Sequence, residues 1–552
     1  MTIGTDSERA PLLGPGNENH RIDFDTSTSE SDTASTVLPP ATRPISPAKR
    51  ILVLVLSFTL LITLAIGGSL LDVPIAEIQE GNICRHIHGP DFDPGKCKDK
   101  DVQSELSLIR GWDTTFTLVP SLLTSVPYGA VADRYGRTLV LGLSLLGVTL
   151  KAASDALVCA MPHVFQPRTI WLGSLFQFLG GGGTVSSAMI YTIVADISTE
   201  EQRVSTFFYI GASLMGGALI ANPIVYIAMK RGAWFAAITG LTCLFVSTAI
   251  GFLTPETLDN AAAVKISPAD HPANGSSQAD DAPPLRTGDT TSPSSANHPS
   301  SAQHNSTSQP PRPLNTILPR AVAALTHTAH SARFLFWDHK LVGLLLISLT
   351  LEIFGRSSFL QLMQYATKRY GMSYSEAGLL QSVTAFTTLV LLLVILPGTS
   401  RLLHTLRVSE REKELRLAQV SAVLSAAGTI LQGLAETKTL LVAGIVVAGM
   451  GGGYTFMIRS LMTSLVGGHE IGVMYTSIAF VDTFAVLTAG PMFAGLFNIG
   501  LVWGDAWVGL PFTVAGWVLV AAAVLVRVIR SSMVVGVGKV DDGESDEGAS
   551  GD

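Results

Sequence analysis

The sequence predicts an all-α membrane protein that crosses the bilayer about twelve times, in two halves of six helices. Three observations lead to this fold class. Of the 552 residues, 47% are hydrophobic and only 14% are charged, whereas soluble domains carry about a quarter charged residues. The apolar residues form runs that are long enough to span a bilayer, which takes about 20 residues per helix. The two halves of the chain also share a pattern around a triple glycine.

The apolar runs predict helices rather than barrel strands, because they do not alternate between apolar and polar residues. A lipid-exposed backbone must also satisfy its own hydrogen bonds, which a helix does within one segment. The first run is longer than the apolar core of a signal peptide and starts further from the N-terminus, so we expect a retained span. The runs lie near residues 51–71, 106–130, 138–160, 169–194, 204–229, 233–253, 341–366, 376–397, 417–435, 439–464, 471–497 and 509–529.

Basic residues in the short connections orient the chain, because cytoplasmic loops carry an excess of Lys and Arg. With the N-terminus inside, the inner connections hold Lys49, Arg50, Arg134, Arg137, Arg203, Arg401, Arg407, Arg411, Lys413 and Arg416. The outer connections hold fewer basic residues, and those in the first outer loop are interleaved with acids. Both termini are therefore predicted to be cytoplasmic.

Polar segments divide the chain into five parts. Residues 1–48 are predicted to be a disordered cytoplasmic tail and residues 49–254 the N-terminal six-helix half. Residues 255–336 are rich in Pro, Ser, Asn and His, which indicates a disordered cytoplasmic linker. Residues 337–530 form the C-terminal half, and residues 531–552 an acidic cytoplasmic tail.

The fourth and tenth predicted spans resemble each other. The segment that starts "GGGTVSSAMIY" at Gly181 aligns with "GGGYTFMIRSL" at Gly451, and Glu200 aligns with Glu470. Internal repeats of this kind are typical of transporters that bind substrate between their two halves. Glycine runs also recur in membrane helices because they allow close packing, so the match has a second explanation.

Residues 127–141, "PYGAVADRYGRTLVL", lie between the second and third predicted spans, on the inner face. Gly129 through Thr138 resembles the G-x-x-x-D-R-x-G-R-[R/K] signature of the major facilitator superfamily, with Thr138 in place of the final basic residue. The resemblance covers about residues 50 to 530 and implies a major facilitator fold. The segment "VQSELSLIRGW" further resembles fungal drug and secondary-metabolite efflux members, and a similar arrangement occurs in a branch with proton-coupled folate importers.

The resemblance implies a conformational latch at this motif. Gly129 would let helices approach, and Gly136 suits a turn with positive φ. Asp133 would meet the start of the eleventh helix, near residues 470–474, and Arg134 and Arg137 face the inner surface. One of these arginines would meet Asp196 at the end of the fourth helix. The alternative is that the motif only anchors the chain by the positive-inside rule.

Ionisable residues inside a span are candidate functional groups by default, because burying a charge in the membrane is costly. Glu352 and Arg356 lie in the middle of the seventh span at i, i+4 spacing, so they share a helix face and could bind substrate or a proton. The alternative is an ion pair that only stabilises the fold. Asp482 in the eleventh span has no partner nearby in the sequence and is a candidate proton-binding carboxylate.

Further candidates for the substrate or proton pathway are Arg110 and Asp113 toward the outer end of the second span, and Gln361. They could instead stabilise a helix interface. Lys151 and Asp155 form another i, i+4 pair, which we interpret as structural because the third helix is peripheral in the family. Arg459 is interpreted as a residue that reaches for the inner surface.

Cys84 and Cys97 are disulfide candidates, because the outer face of a membrane is oxidising, and Cys159 is a possible competitor. No Cys pair has metal-binding spacing and no nucleotide-binding loop is present, so we expect no metal, no cofactor, no ATP drive and no enzyme activity. The chain has no basic nucleic-acid-binding domain.

The expected partners are the lipid bilayer, a small-molecule substrate and protons, with a monomeric protein. The plasma membrane is the favoured location, although "ERAPLL" at residues 8–13 fits an acidic dileucine signal for vacuolar or endosomal membranes.

The predicted function is secondary active transport of a small organic molecule by alternating access, as proton-coupled efflux of a drug or secondary metabolite. One departure bears on direction: the fifth helix lacks the G-x-x-x-G-P-x-x-G-G order that drug antiporters usually carry. Two alternatives therefore stay open. One is proton-coupled import of an organic anion or nutrient, with Arg356, Arg110 or Lys151 binding a carboxylate. The other is a transporter-like sensor that signals through the central linker.

Overall fold

The computed structural model describes residues 47–91, 93–197, 200–257, 340–405, 410–466 and 471–546, and all regular secondary structure in these ranges is helical. We number the helical segments α1 to α12 in chain order. The uninterrupted ones are α1 (Pro47–His88), α2 (Lys100–Tyr135), α3 (Arg137–Ala160), α5 (Glu200–Met229), α6 (Ala233–Leu253), α9 (Glu410–Leu434), α11 (Ile471–Trp503) and α12 (Leu510–Asp546).

Four segments change helix type along their length. Segment α4 joins a 3₁₀ stretch, Pro167–Phe178, to the helix Gly182–Ile197, and α7 joins Lys340–Arg356, a 3₁₀ turn at Ser357–Gln361 and Leu362–Tyr370. Segment α8 joins Tyr374–Val390, a π turn at Leu391–Ile395 and Leu396–Thr405. Segment α10 joins Lys438–Met450, a 3₁₀ turn at Gly451–Gly453 and Tyr454–Leu465. Both triple glycines thus lie where a segment changes helix type, but φ is positive only in the first region, at Gly180, Gly181 and Gly182.

Eleven helices within the described ranges are long and apolar enough to cross a membrane. They correspond to the predicted spans except the fifth, where the apolar helix is the shorter Met215–Met229. The predicted N-terminal tail and linker lie outside the described residues, apart from a few residues at their edges.

Helix ends differ from the predicted boundaries where polar residues continue a helix. Segment α1 runs to His88, well past the predicted end at residue 71, and so includes Asp72. Segment α2 runs to Tyr135, so the expected loop around the motif is wrong: Asp133 and Arg134 lie on the last turn of a helix. Gly136 alone separates α2 from α3, with φ of 116°, a conformation that other residues rarely adopt.

We name the two ends of the helix bundle after nearby features. The disulfide end carries the bond between Cys84, near the end of α1, and Cys97, just before α2, while Cys159 nearby is a free, buried thiol. The motif end is the opposite one, with Gly136. Helices joined by short connections run antiparallel, so each one links the two ends.

The packing of the two halves differs between these ends. At the disulfide end one apolar core contains residues of both halves, among them Leu70, Val73, Tyr365, Phe497 and Phe512. A second core there, which includes Cys84 and Cys97, is built only from the first half. At the motif end there are two cores: one is built only from the first half, around Leu141 and Ile190, and the other only from the second half, around Leu345 and Tyr454.

The halves approach most closely where α2 crosses α11. A Cβ atom at Gly111 would lie 2.7 Å from the carbonyl oxygen of Gly490 and 2.7 Å from the Cβ atom of Ala494, so only glycine fits there. The Thr115 hydroxyl donates to the carbonyl of Leu487 at 2.8 Å, and the Gln364 amide donates to the carbonyl of Gln103 at 2.6 Å. These contacts lie between the middle of the bundle and the disulfide end.

Candidate functional site

A central cavity of about 520 Å³ lies between the two halves. Its volume is in the range of small-molecule binding sites. The first half contributes residues of α1, α2, α3, α4 and α6, and the second half contributes residues of α7 and α8. The polar and charged residues in the lining are Asp72, Gln79, Arg110, Asp113, Thr114, Lys151, Asp155, Gln177, Gln361 and Gln381.

All charged residues of this lining belong to the first half and are linked by ion pairs. The Arg110 guanidinium lies 2.7 Å from Asp72 Oδ1, which joins α2 to α1. Lys151 Nζ on α3 lies 2.8 Å from Asp113 Oδ2 and 2.6 Å from Asp155 Oδ2. We call these five residues the charged cluster. Lys151 bridges two carboxylates, so it ties α3 to α2 as well as to its own helix.

The opposite wall of the cavity carries no charge. Its residues come from α7 and α8: Phe359, Leu360 and Gln361 lie on the 3₁₀ turn of α7, Met363 on the helix that follows it, and Gln381 on α8. The cavity therefore has one charged side and one side that is apolar with two amide groups. Such a site suits an amphipathic molecule.

Arg356 lines a second, smaller cavity in the C-terminal half, and Glu352 is buried one helical turn before it without lining that cavity. Glu352 is fully buried, and its Oε1 accepts a hydrogen bond of 2.9 Å from the Ser425 hydroxyl. Arg356 Nη1 lies 3.8 Å from the same oxygen and lines a cavity of about 270 Å³, with Ser425 and Gln432. The pair predicted from its spacing is thus present, and Phe359 borders both cavities.

Asp482 pairs with Arg459 across the α10–α11 interface. Neither residue lines the two cavities just described. The expectation that Arg459 reaches for the membrane surface is therefore wrong, because its guanidinium is held by this carboxylate.

At the motif end, Arg137 forms an ion pair with Asp196 near the end of α4, and the Thr257 hydroxyl donates to Asp196 Oδ2 at 3.1 Å. The Glu256 carboxylate lies over Gly136 and accepts hydrogen bonds from the backbone N–H groups of Arg137 and Thr138, both 3.1 Å long.

The Thr138 hydroxyl also donates to Glu256 Oε2 at 2.6 Å. Glu256 thus caps the positive N-terminal end of α3, where a carboxylate is favourable. Thr138, which departs from the family pattern, supplies one of these contacts through its hydroxyl.

The other half of the expected latch is not formed in this structure. Asp133 and Arg134 are exposed; within the described ranges Asp133 forms no hydrogen bond or ion pair, and Arg134 contacts only the ring of Tyr135. A Cβ atom at Gly129 would have no neighbour within 4 Å, so the expected close approach of helices at Gly129 is wrong here. The expected target at Glu470 lies outside the described residues.

Comparison with known proteins decides the family. The family model of the Major Facilitator Superfamily matches residues 103–491. The chain belongs to the major facilitator superfamily. It is 28% identical over 501 residues to the MFS efflux pump atnC of Emericella nidulans, with 88% of each chain covered. It is 26% identical over 458 residues to the efflux pump ustT of Aspergillus flavus, with 82% of each chain covered.

Solved structures of transporters share the fold of this chain. The human organic anion transporter MFSD10 matches with a TM-score of 0.51 and 16% identity, over 87% of this chain and 100% of that one. A D-xylose-proton symporter matches with a TM-score of 0.52 and 13% identity, over 86% of this chain and 96% of that one. Both proteins are transporters, as members of the superfamily are.

Within this major facilitator fold, two charged residues of the cavity, Asp72 and Asp155, were not predicted to line it, and Lys151 was predicted to bind a carboxylate only in the import alternative. Asp72 lies just beyond the predicted end of the first span. Lys151 and Asp155 were interpreted as a structural pair on a peripheral helix, yet both line the central cavity. The sequence did contain a signal for this cluster. Charges within or next to apolar spans are expected to pair with opposite charges. The first three spans carry five such residues: Asp72, Arg110, Asp113, Lys151 and Asp155.

Proposed function

We propose that this chain exports a small organic molecule by proton-coupled secondary transport, through alternating access to the central cavity. The observation that carries the proposal is the cavity itself, which is lined by both halves and by the charged cluster. A binding site between two halves that move against each other is the arrangement that alternating access requires. The structure then corresponds to the state that faces the motif end, because the halves share a core at the other end.

We further propose that the motif end faces the cytoplasm and the disulfide end faces outward. Basic residues near the motif end support this orientation, among them Lys49, Arg134, Arg137, Lys413 and Arg416. The disulfide supports it too, because such bonds persist in oxidising compartments. With α5 as a further span, the monomeric protein would cross the membrane twelve times with both termini in the cytoplasm. The plasma membrane remains the favoured location.

Export is favoured over import of an organic anion. Relatives that cover more than four fifths of the chain are named efflux pumps. The two cations proposed to bind an incoming carboxylate in the first half, Arg110 and Lys151, are already paired with aspartates. An anion would have to displace these carboxylates before it could bind.

Accumulation of a toxic lipophilic compound in cells that overproduce the protein tests the direction of transport. Export predicts lower accumulation than in cells with an empty vector, and the difference should disappear when the proton gradient is collapsed. Higher accumulation would instead support import. Deletion of residues 260–330 tests the sensor alternative, which fails if the deletion leaves every phenotype intact.

The proton-binding group is proposed to lie in the charged cluster, with Glu352 and Asp482 as further candidates. Asp482→Asn is expected to change the pH dependence of transport only if Asp482 binds the coupling proton. Since Asp482 lies away from the two cavities and is paired with Arg459, a change in transport rate without a change in pH dependence would indicate a role in positioning helices. Initial rates measured across a range of pH separate these outcomes.

A further inference from the structure

The loop between α1 and α2 contributes a lysine to the contact between the two halves. Lys98 Nζ lies 2.7 Å and 2.8 Å from the two carboxylate oxygens of Glu80, which is buried on α1. The same ammonium group lies 4.8 Å from the centre of the Tyr374 ring on α8, within the range of a cation–π contact. The first half therefore holds the charge of Lys98, and the second half presents an aromatic ring to it.

Further hydrogen bonds cross between the halves at the same place. Lys368 Nζ on α7 donates to the backbone carbonyl of Lys98 at 2.6 Å. Gln364, one turn earlier on α7, donates to the backbone carbonyl of Gln103 at 2.6 Å and to its side-chain oxygen at 3.1 Å. All of these contacts must break when the halves separate at the disulfide end. We call the five residues that make them the gate residues: Lys98, Gln103, Gln364, Lys368 and Tyr374.

The disulfide fixes the first-half side of these contacts. Cys97 directly precedes Lys98 and is bonded to Cys84, which lies one helical turn after Glu80 on α1. The buried Gln103 side chain donates to the Cys97 carbonyl at 3.0 Å and also to the Glu80 carboxylate. The loop is thus attached to α1 beside the carboxylate that Lys98 binds. Because the bond limits the conformations of the loop, it lowers the entropy cost of placing Lys98 against the second half.

The gate residues lie between the charged cluster of the central cavity and the disulfide. Tyr374 is buried and interacts electrostatically with Arg110 of the cluster, while its ring contacts Lys98 on the other side. Gln364 directly follows Met363, which lines the cavity. A molecule that leaves the cavity at this end therefore passes the gate residues.

Resting on the alternating access proposed above, we propose that Lys98 is a gating residue: its contacts with the second half keep the disulfide end closed, and Glu80 and the disulfide position it for them. The gate is closed in this structure. It opens when Lys98 separates from Tyr374 and Lys368, and the disulfide returns Lys98 to the same place when the halves close again. The disulfide thus acts in the transport cycle and does more than stabilise the fold.

Distances between two spin labels measure the open and closed populations of each end in purified protein, without a substrate. The labels replace exposed residues, one in each half: Val164 and Glu436 at the disulfide end, and Tyr135 and Arg401 at the motif end. The background lacks the free thiols Cys159 and Cys243. Opening of the gate lengthens the distance at the disulfide end and shortens the distance at the motif end. Loosening of the fold does not shorten the distance at the motif end, so the two label pairs separate these effects.

Lys368→Met removes the hydrogen bond from the second half to the Lys98 carbonyl. Hydrogen bonds to charged groups are strong enough that we expect the ratio of open to closed protein to rise about tenfold or more. Arg369→Met is the matched control, because Arg369 donates to the backbone carbonyl of Asp505 within the second half. It should leave the ratio unchanged. Equal shifts in the two variants, or no shift in Lys368→Met, would overturn the proposal.

The positioning role predicts effects that do not add. Cys84→Ala/Cys97→Ala should raise the open population a few-fold, but less so on a Lys368→Met background, because both changes act on the contacts of Lys98. Glu80→Gln should likewise raise it in the wild type and have no further effect on a Lys98→Met background. If the disulfide variant lowers the unfolding temperature and leaves both distances unchanged, the bond only stabilises the fold and the positioning role is wrong.

Elution as a monodisperse peak in detergent identifies the variants that fold. The distances do not depend on transport, so the gate and the export function can fail separately. If Lys368→Met opens the disulfide end but the wild-type protein does not lower accumulation of a toxic compound in cells, only the export function fails. If the wild-type protein exports but Lys368→Met and Arg369→Met give the same distances, only the gate proposal fails.

Discussion

The two halves of the chain pack against each other differently at the two ends of the helix bundle. At the disulfide end the halves share one apolar core and α2 touches α11 through Gly111 and Gly490. At the motif end each half buries its own core, and the polar contacts around Arg137 and Glu256 stay within the first half. In this structure the halves therefore share buried apolar contacts at the disulfide end, whereas at the motif end each half packs on its own core.

Loss of the disulfide is expected to have the largest effect on the stability of the disulfide end. Cys84→Ser removes a bond that closes a segment with a sequence separation of 13 residues, and such bonds contribute about 2–4 kcal/mol. We expect a lower unfolding temperature. It is measured in detergent with a fluorescent dye that does not react with thiols. Cys159→Ser is the control, since Cys159 is a free thiol. Equal unfolding temperatures for Cys84→Ser and the wild type would show that the bond does not stabilise this end.

Gly111→Leu is the next largest change, because it places a side chain where α2 touches α11. Overpacking costs about 1–3 kcal/mol, which corresponds to a shift of about 5- to 150-fold in an equilibrium between states. We expect the disulfide end to open and transport to fall. Labelling of a cysteine introduced at Met363, on a background without Cys159 and Cys243, reports the opening when a membrane-impermeant thiol reagent is added from the disulfide side only.

Gly495→Leu is the matched control for Gly111→Leu, because a Cβ at Gly495 would have no neighbour within 4 Å. Both variants add the same side chain, but only the first adds it between the halves. Similar labelling in the two variants would mean that the crossing of α2 and α11 does not hold this end closed.

Glu256→Gln tests how much the polar contacts at the motif end contribute to stability. The variant keeps an acceptor but removes the negative charge over the first turn of α3, where caps and helix-dipole interactions contribute about 1 kcal/mol. We expect a small decrease in unfolding temperature and no effect on the labelling of the disulfide end. A change in that labelling would show that the two ends are coupled through α3.

Asp133→Asn has the smallest expected effect on stability, because the exposed Asp133 side chain forms no hydrogen bond or ion pair in the described part of the chain. If the proposed latch forms when the motif end closes, the variant loses about 0.3–1 kcal/mol in that state only. Transport should then decrease a few-fold at an unchanged unfolding temperature. A decrease in both quantities would mean that Asp133 stabilises the fold and not the closed state.

Hydropathy predicted most of the fold because a membrane imposes one rule on every span. Long apolar runs must be helical, so the runs at residues 51–71 and 106–130 located α1 and α2, although both helices continue beyond them. Their ends were missed because polar residues can extend a helix when tertiary contacts satisfy them, as Arg110 does for Asp72.

The site was predicted less completely, because sequence spacing reveals only partners on the same helix. Glu352 and Arg356 were found through their i, i+4 spacing, as was the pairing of Lys151 with Asp155. The contact of Lys151 with Asp113 and that of Asp482 with Arg459 join different helices, and no local pattern encodes them. Whether a pair faces a cavity also depends on how the helices rotate, which the sequence does not specify.

The placement of every charged residue of the cavity on α1, α2 and α3 has a consequence for how the binding site can diversify. These side chains travel together when one half rocks against the other, so no ion pair among them has to be broken during a transport cycle. The uncharged wall on α7 and α8 is then free to vary in shape. Mutations at Phe359, Leu360 or Met363 can therefore change the shape of this wall while the charged side opposite it is preserved.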